Sequence, residues 1–361
     1  MDGPPGPETV INGRKVLYFG GVGYFCLHDH PESMEAGINA WRRLGLNSGT
    51  SRAGMGTTTL IMEVERTAAR FFGTDDAAYI ASGYLSNTAG VQALREGDAF
   101  DVVFVDQHAH FCVHDAALST GAPVHRFAHL DLDDLGHQLE RHLRPGQTPL
   151  LMSDGLFPTF GRIAPVPDYL EVLEPYGGLV WLDEAHPMGI LGPNGRGTCD
   201  HFNLDSDRVF CGGTLSKAFG GFGGIVPGPA EFVTRVRGGP VMIAASAPPT
   251  PVAAATLKGL ELVMANPQWR EGLWRNARLL KSGLEELGFA VESNEVPIAA
   301  FSLESGERMQ RVHRELFDRG IAIQYTHYPG AGAEGTLRAV VFSTHTAAQI
   351  RRLIDELRSL V

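Results

Sequence analysis

The chain has 361 residues, 43% hydrophobic and 20% charged, with 30 basic against 41 acidic side chains and a formal net charge of −11. That composition is typical of a soluble globular protein with room for one large and one smaller domain, and the acidic balance argues against nucleic acid or an anionic membrane as partner. No apolar run reaches the ~20 residues of a membrane span. The start, Met1-Asp2-Gly3-Pro4-Pro5, lacks a signal-peptide pattern and reads as a short disordered lead. Cys26, Cys112, Cys199 and Cys211 show no close pairing, which fits a reduced cytoplasm.

In chain order, residues 1–45 read as an N-terminal segment, 46–245 as a large domain and 246–361 as a small C-terminal domain. Apolar runs at 77–82, 101–105, 149–153, 178–183, 208–212 and 223–226 predict strands. Helical periodicity falls between several of them, over 59–72, 85–94, 132–143 and 168–176. Such alternation implies an α/β domain whose central sheet is mostly parallel, with helices on both faces. Pro248 and Pro249 open a helix running to about residue 264, and 267–287 is helical and amphipathic. Strands at 289–291, 298–303 and 337–342 and a closing helix over 344–360 predict a small α+β domain.

Three segments carry chemistry. Around Ser82-Gly83-Tyr84 a strand passes through a glycine turn into a helix, whose first N–H groups suit a phosphate; the plain alternative is a turn with Ser82 as N-cap. The run Gly178-Leu179-Val180-Trp181-Leu182-Asp183 reads as a buried strand with an acid at its carboxyl end, where open α/β sheets bind ligands. Such an acid caps a turn, binds a metal, or pairs with the ring nitrogen of pyridoxal 5′-phosphate (PLP), with His186 in reach of that ring's hydroxyl. The third is Gly213-Thr214-Leu215-Ser216-Lys217-Ala218-Phe219-Gly220-Gly221, a lysine enclosed by hydroxyls and glycines. A desolvated amine of this kind forms Schiff bases with carbonyls. The glycines at 220–224 follow a lysine and lead into a strand, so the dinucleotide fingerprint of a nicotinamide dehydrogenase fails.

In this order the three segments resemble the fold-type I PLP-dependent enzymes, and in detail their α-oxoamine synthase branch. The resemblance runs from about Tyr18 to the C-terminus. It rests on Asp183-Glu184-Ala185-His186-Pro187-Met188-Gly189, Gly195-Arg196-Gly197 and 214–221, with Ser51-Arg52, Glu63-Val64-Glu65, His108-Ala109 and Thr336-Leu337-Arg338 in support. It implies the fold-type I transferase fold and PLP as cofactor. Lys217 is then the Schiff-base lysine and moves the α-proton. Asp183 pairs with the ring nitrogen, and His186 meets the ring hydroxyl. Ser82, Gly83, Tyr84 and Thr214 belong to the cofactor site, and His108 stacks on the ring, with His110 as a nearby competitor. Arg338 binds the substrate carboxylate, with Arg52 and Tyr24 in the substrate region. No metal is implied; the histidines at 108, 110 and 114 match no usual zinc spacing.

The implied reaction joins an amino acid to an acyl thioester, on CoA or on an acyl-carrier protein, and loses carbon dioxide to give an α-amino ketone. A homodimer with shared active sites is implied as well. An aminotransferase, racemase or lyase is the rival within the cofactor class, and a non-catalytic partner subunit is the rival outside it; Lys217 and Asp183 argue against the latter. Departures cluster on the substrate side. Gly23 stands where relatives carry an asparagine, and Pro158 where they carry a serine that contacts the ring hydroxyl. Ile61 lies near a missing histidine, and Ala244-Ala245-Ser246-Ala247 replaces a Ser-Thr pair.

Overall fold

In the computed structural model, which describes residues 1–361, the apolar runs of the middle of the chain assemble into one seven-stranded sheet. Its strands are β1 (Asp76–Ile80), β2 (Val102–Asp106), β3 (Val124–Phe127), β4 (Pro149–Asp154), β5 (Leu179–Asp183), β6 (Val209–Thr214) and β7 (Gly224–Gly228). They stand side by side in the order β1-β7-β6-β5-β4-β2-β3. Pairing is parallel from β6 through β5, β4 and β2 to β3, and β7 runs antiparallel between β6 and β1. Every residue of β2 and β4 is buried. Their continuous apolar character is that of strands covered on both faces by helices, as here.

This sheet belongs to the larger of two compact units, Pro31–Leu156 with Ile163–Ala265. The smaller unit takes Met1–His30, Phe157–Arg162 and Asn266–Val361. These divisions differ from cuts at 45 and 245, because the helix Thr250–Ala265 packs on the helices Pro31–Leu44 and Thr59–Phe72 inside the larger unit. Within the smaller unit, Thr336–Val340 is the central strand of an antiparallel sheet between Ile298–Phe301 and Gln324–Thr326. Leu280, Leu316, Leu337 and Leu353 close its core. The strand expected at 289–291 does not form; Phe289 and Val291 pack on that core without pairing. Edge strand β3 was not legible, since four residues that include His125 and Arg126 show no apolar run. No helix is long and apolar enough to cross a membrane.

The centre of β5 holds Trp181, fully buried. The helix Gly83–Glu96 crosses directly above it, and a Cβ at Gly90 would lie 1.8 Å from Trp181 Cη2. Glycine there is a packing requirement and not a conformational one. Gly90→Ala gains helix propensity worth up to ~1 kcal/mol but forces the indole aside. We expect a net loss of roughly 1–3 kcal/mol, read as a lower urea midpoint.

Candidate active site

Three adjacent parallel strands end in acids: Asp106 on β2, Asp154 on β4 and Asp183 on β5. Asp154 and Asp183 are register partners, so their carboxyls share the carboxyl edge of the sheet. Each acid is buried and each is met differently. Asp106 accepts from the His108 amide at 2.8 Å and the Leu130 amide at 3.0 Å, with His129 Nδ1 3.0 Å away. The carboxyl of Asp154 is pushed well above the usual range by burial and then by Asp183; the His110 amide, 3.1 Å away, and Lys217 oppose the shift. Asp183 accepts from Asn87 Nδ2 at 2.8 Å and Cys112 Sγ at 3.2 Å on Oδ2, and from the Ala185 amide at 2.9 Å on Oδ1.

Lys217 is half-buried in the turn that follows β6. Its charge is felt at His110 and at Asp154, which puts the amine at this same edge. Gly83 opens its helix against Thr214, so that a Cβ on Gly83 would lie 2.7 Å from Thr214 Oγ1. Ser82 caps that helix, its Oγ accepting from the Tyr84 amide at 3.2 Å. Thr214 Oγ1 lies 2.8 Å from Ser216 Oγ. A helix N-terminus beside two hydroxyls makes a cradle that suits a phosphate. His186 is buried in the turn after β5.

The His108 and His129 rings lie with centroids 4.5 Å apart. His110 caps the helix Phe111–Ser119, meets the Tyr84 ring edge-on at 6.3 Å and sits 2.8 Å from Cys112 Sγ through Nδ1. Three residues separate Asp106 from His110, and over them the chain turns from β2 into the helix. Arg52, expected in the substrate region, is committed elsewhere. Its Nη1 reaches Glu65 Oε1 at 2.6 Å and its Nη2 reaches Oε2 at 3.1 Å, while Nη1 also donates to Tyr79 O at 2.9 Å. A two-pronged buried pair of this kind locks the guanidinium in place, so it is not open to a substrate. Asn87 and Cys112, both beside Asp183, were missed. The helical pattern over 85–94 marked Asn87 only as a helix residue. The atoms of His110, Cys112 and Asp183 also converge as metal ligands do. However, burial pushes the Cys112 thiol up, and the protonated thiol donates to Asp183.

In the smaller unit, Arg338 sits mid-strand, 8% exposed. Its Nη1 donates to Gln324 Oε1 at 2.5 Å, whereas Nε and Nη2 have no hydrogen-bond partner. Burial lowers the arginine, and the nearby Tyr24, Tyr328 and Tyr18 oppose that. A buried cation with two unmatched donors is prepared for an anion. Tyr24 is itself fully buried, and burial raises its phenol.

The fold is that of a fold-type I PLP-dependent transferase. A family profile described as aminotransferase class I and II matches residues 21–357. The chain is 34% identical over 350 residues to the 8-amino-7-oxononanoate synthase of Symbiobacterium thermophilum, covering 96% of this chain and 88% of that protein. With the enzyme of the same name from Alkaliphilus metalliredigens it shares 32% identity, over 98% of this chain and 90% of the other. Serine palmitoyltransferase from S. paucimobilis, solved with a bound PLP–myriocin aldimine, superposes with a TM-score of 0.92 at 29% identity, covering 100% of this chain and 91% of that one. The chain belongs to the class I and II aminotransferase family, in its α-oxoamine synthase branch. It is a PLP-dependent acyltransferase that condenses an amino acid with an acyl thioester and releases carbon dioxide.

Glu184 is buried beside Asp183, and its Oε2 accepts from the Thr198 amide at 2.9 Å. Burial raises it from 4.5 to about 7, against the pull of Thr198. The folded chain therefore keeps a proton that the unfolded chain releases. Stability from this group is full below pH 4.5 and is lost as pH rises through about 7. The shift corresponds to roughly 3 kcal/mol. Unfolding midpoints of the wild type should fall between about pH 5 and about pH 8, and Glu184→Gln should flatten that slope.

Proposed function

We propose that Lys217, Asp183, His108 and His186 surround the reacting end of PLP, that Ser82, Gly83, Tyr84 and Thr214 border its phosphate, and that Arg338 with Tyr24 receives the carboxylate of the amino acid. The supporting observation is the convergence of the Gly83–Thr214 cradle, the Asp183 carboxylate and the Lys217 amine at one sheet edge. When bound, PLP supplies a protonated ring that withdraws electrons from the substrate Cα.

Lys217 Nζ would hold the cofactor, and the same amine would move the proton at the substrate Cα. Asp183 would face the ring nitrogen and hold a proton there. His108 would stack on the ring and help to exclude water, with His110, beside Cys112, as the competing candidate. The two free donors of Arg338 grip the carboxylate as a fork and fix which Cα bond is aligned for cleavage. His186 meets the ring hydroxyl without help from a serine, since Pro158 stands in that place.

The acyl partner is a thioester on CoA or a carrier protein. We read the enzyme as cytoplasmic, in keeping with four free cysteines. We also read it as a homodimer, because the helix Pro31–Leu44 exposes Met34, Ile38 and Trp41 along one stripe, continued by Leu44 and Leu46. An apolar stripe of this size on a monomer calls for a partner.

The holoenzyme, incubated with single amino acids in deuterated buffer, should exchange the α-proton of its own substrate, read by proton NMR. Lys217→Ala should abolish exchange. Arg338→Leu should weaken amino-acid binding at least tenfold while leaving cofactor binding intact. Exchange with full turnover in Lys217→Ala would sink the assignment. A second comparison separates the histidines: His108→Ala should cut turnover about a hundredfold and shift the cofactor absorbance, whereas His110→Ala should leave that absorbance unchanged. The reverse pattern would give the stacking role to His110.

A further inference from the structure

Asp183 does not stand alone behind the cofactor; a buried chain of directed hydrogen bonds leads to it from the core of the sheet. Trp181 lies two residues earlier on β5, so both side chains leave the same face of the strand. Its Nε1 donates to Asn87 Oδ1 at 2.8 Å, and Asn87 Nδ2 donates to Asp183 Oδ2 at 2.8 Å. All three residues are buried, with Trp181 and Asn87 at 0% exposure, so no water competes for these groups.

The direction of the chain follows from chemistry. An indole N–H can only donate, so the Asn87 carbonyl must face Trp181. The amide has then only its NH2 to present to Asp183, and an NH2 needs an acceptor. The Asp183 oxygen that receives it therefore acts as an acceptor. Cys112 Sγ, 3.2 Å from the same oxygen, adds a second donor. The indole has no freedom to retreat, because Gly90 on the helix and Gly212 on β6 both need their missing side chains to accommodate it.

We propose that Trp181 and Asn87 are positioning residues that fix the charge and aim of Asp183, and through it the protonation of the cofactor ring nitrogen. This rests on the reading of Asp183 as the partner of that nitrogen. Neither residue touches the cofactor. Asn87 sets the carboxylate by its NH2, and Trp181 sets the orientation of Asn87.

The test uses holoenzyme reconstituted with PLP labelled with 15N in the ring, whose nitrogen resonance reports ring protonation. In the wild type the resonance should stay at the protonated position throughout the pH range in which the protein is folded. Asp183→Asn should move it to the unprotonated position. Asn87→Leu removes the donor, and Trp181→Phe keeps the ring while removing only the N–H. Both should lower the ring-nitrogen titration midpoint by at least one pH unit, a tenfold effect, and raise the PLP dissociation constant about tenfold. Should Asn87→Leu fail to fold by circular dichroism, Trp181→Phe carries the test. If Asp183→Asn shifts the resonance while the folded variants of Asn87 and Trp181 titrate as wild type, the inference is overturned. If Asp183→Asn itself changes nothing, the reading of Asp183 fails instead.

Discussion

Three carboxyl groups buried at the ends of three adjacent parallel strands are the constraint that shapes the larger unit. Bringing one charge out of water costs several kcal/mol unless donors replace the water, and bringing three together adds repulsion. The chain answers each in turn. Asp106 is wrapped by two amides and His129. Burial and Asp183 press Asp154 toward its neutral form. Asp183 is supplied with three donors.

The same economy explains Asn87 and Trp181. A core tryptophan is usually a packing residue with its N–H satisfied by whatever lies near. Here that N–H fixes an amide, and the amide meets the Asp183 carboxylate. Core packing and site electrostatics are therefore one construction. Gly90 serves both, since the room it leaves lets the indole sit where its donor reaches Asn87.

The smaller unit carries a complementary arrangement. Arg338 is buried with one of its donors matched by Gln324 and two unmatched. An isolated fold gains nothing from such a cation, and an anion would offset its cost. Tyr18, Tyr24 and Tyr328 lie around it.

Local sequence determined a good deal. Lys217 between hydroxyls and glycines, Asp183 at the end of an apolar run, and Ser82-Gly83 before a helix are short-range signals, and alternation of apolar runs with helical repeats announced the mostly parallel sheet. What depends on distant residues was not readable. Whether His108 or His110 faces the site turns on where the chain leaves β2 and begins a helix. Arg52 looked available until Glu65, thirteen positions on, closed over it. Asn87 and Trp181 are ninety-four residues apart and meet only because the helix Gly83–Glu96 crosses β5. Sequence determined which groups the site owns, because residue type and local pattern are written one after another along the chain. Tertiary structure decided which of them are spent on each other and which are left for a ligand, because pairing and burial depend on neighbours that only the packed sheet and helices bring together.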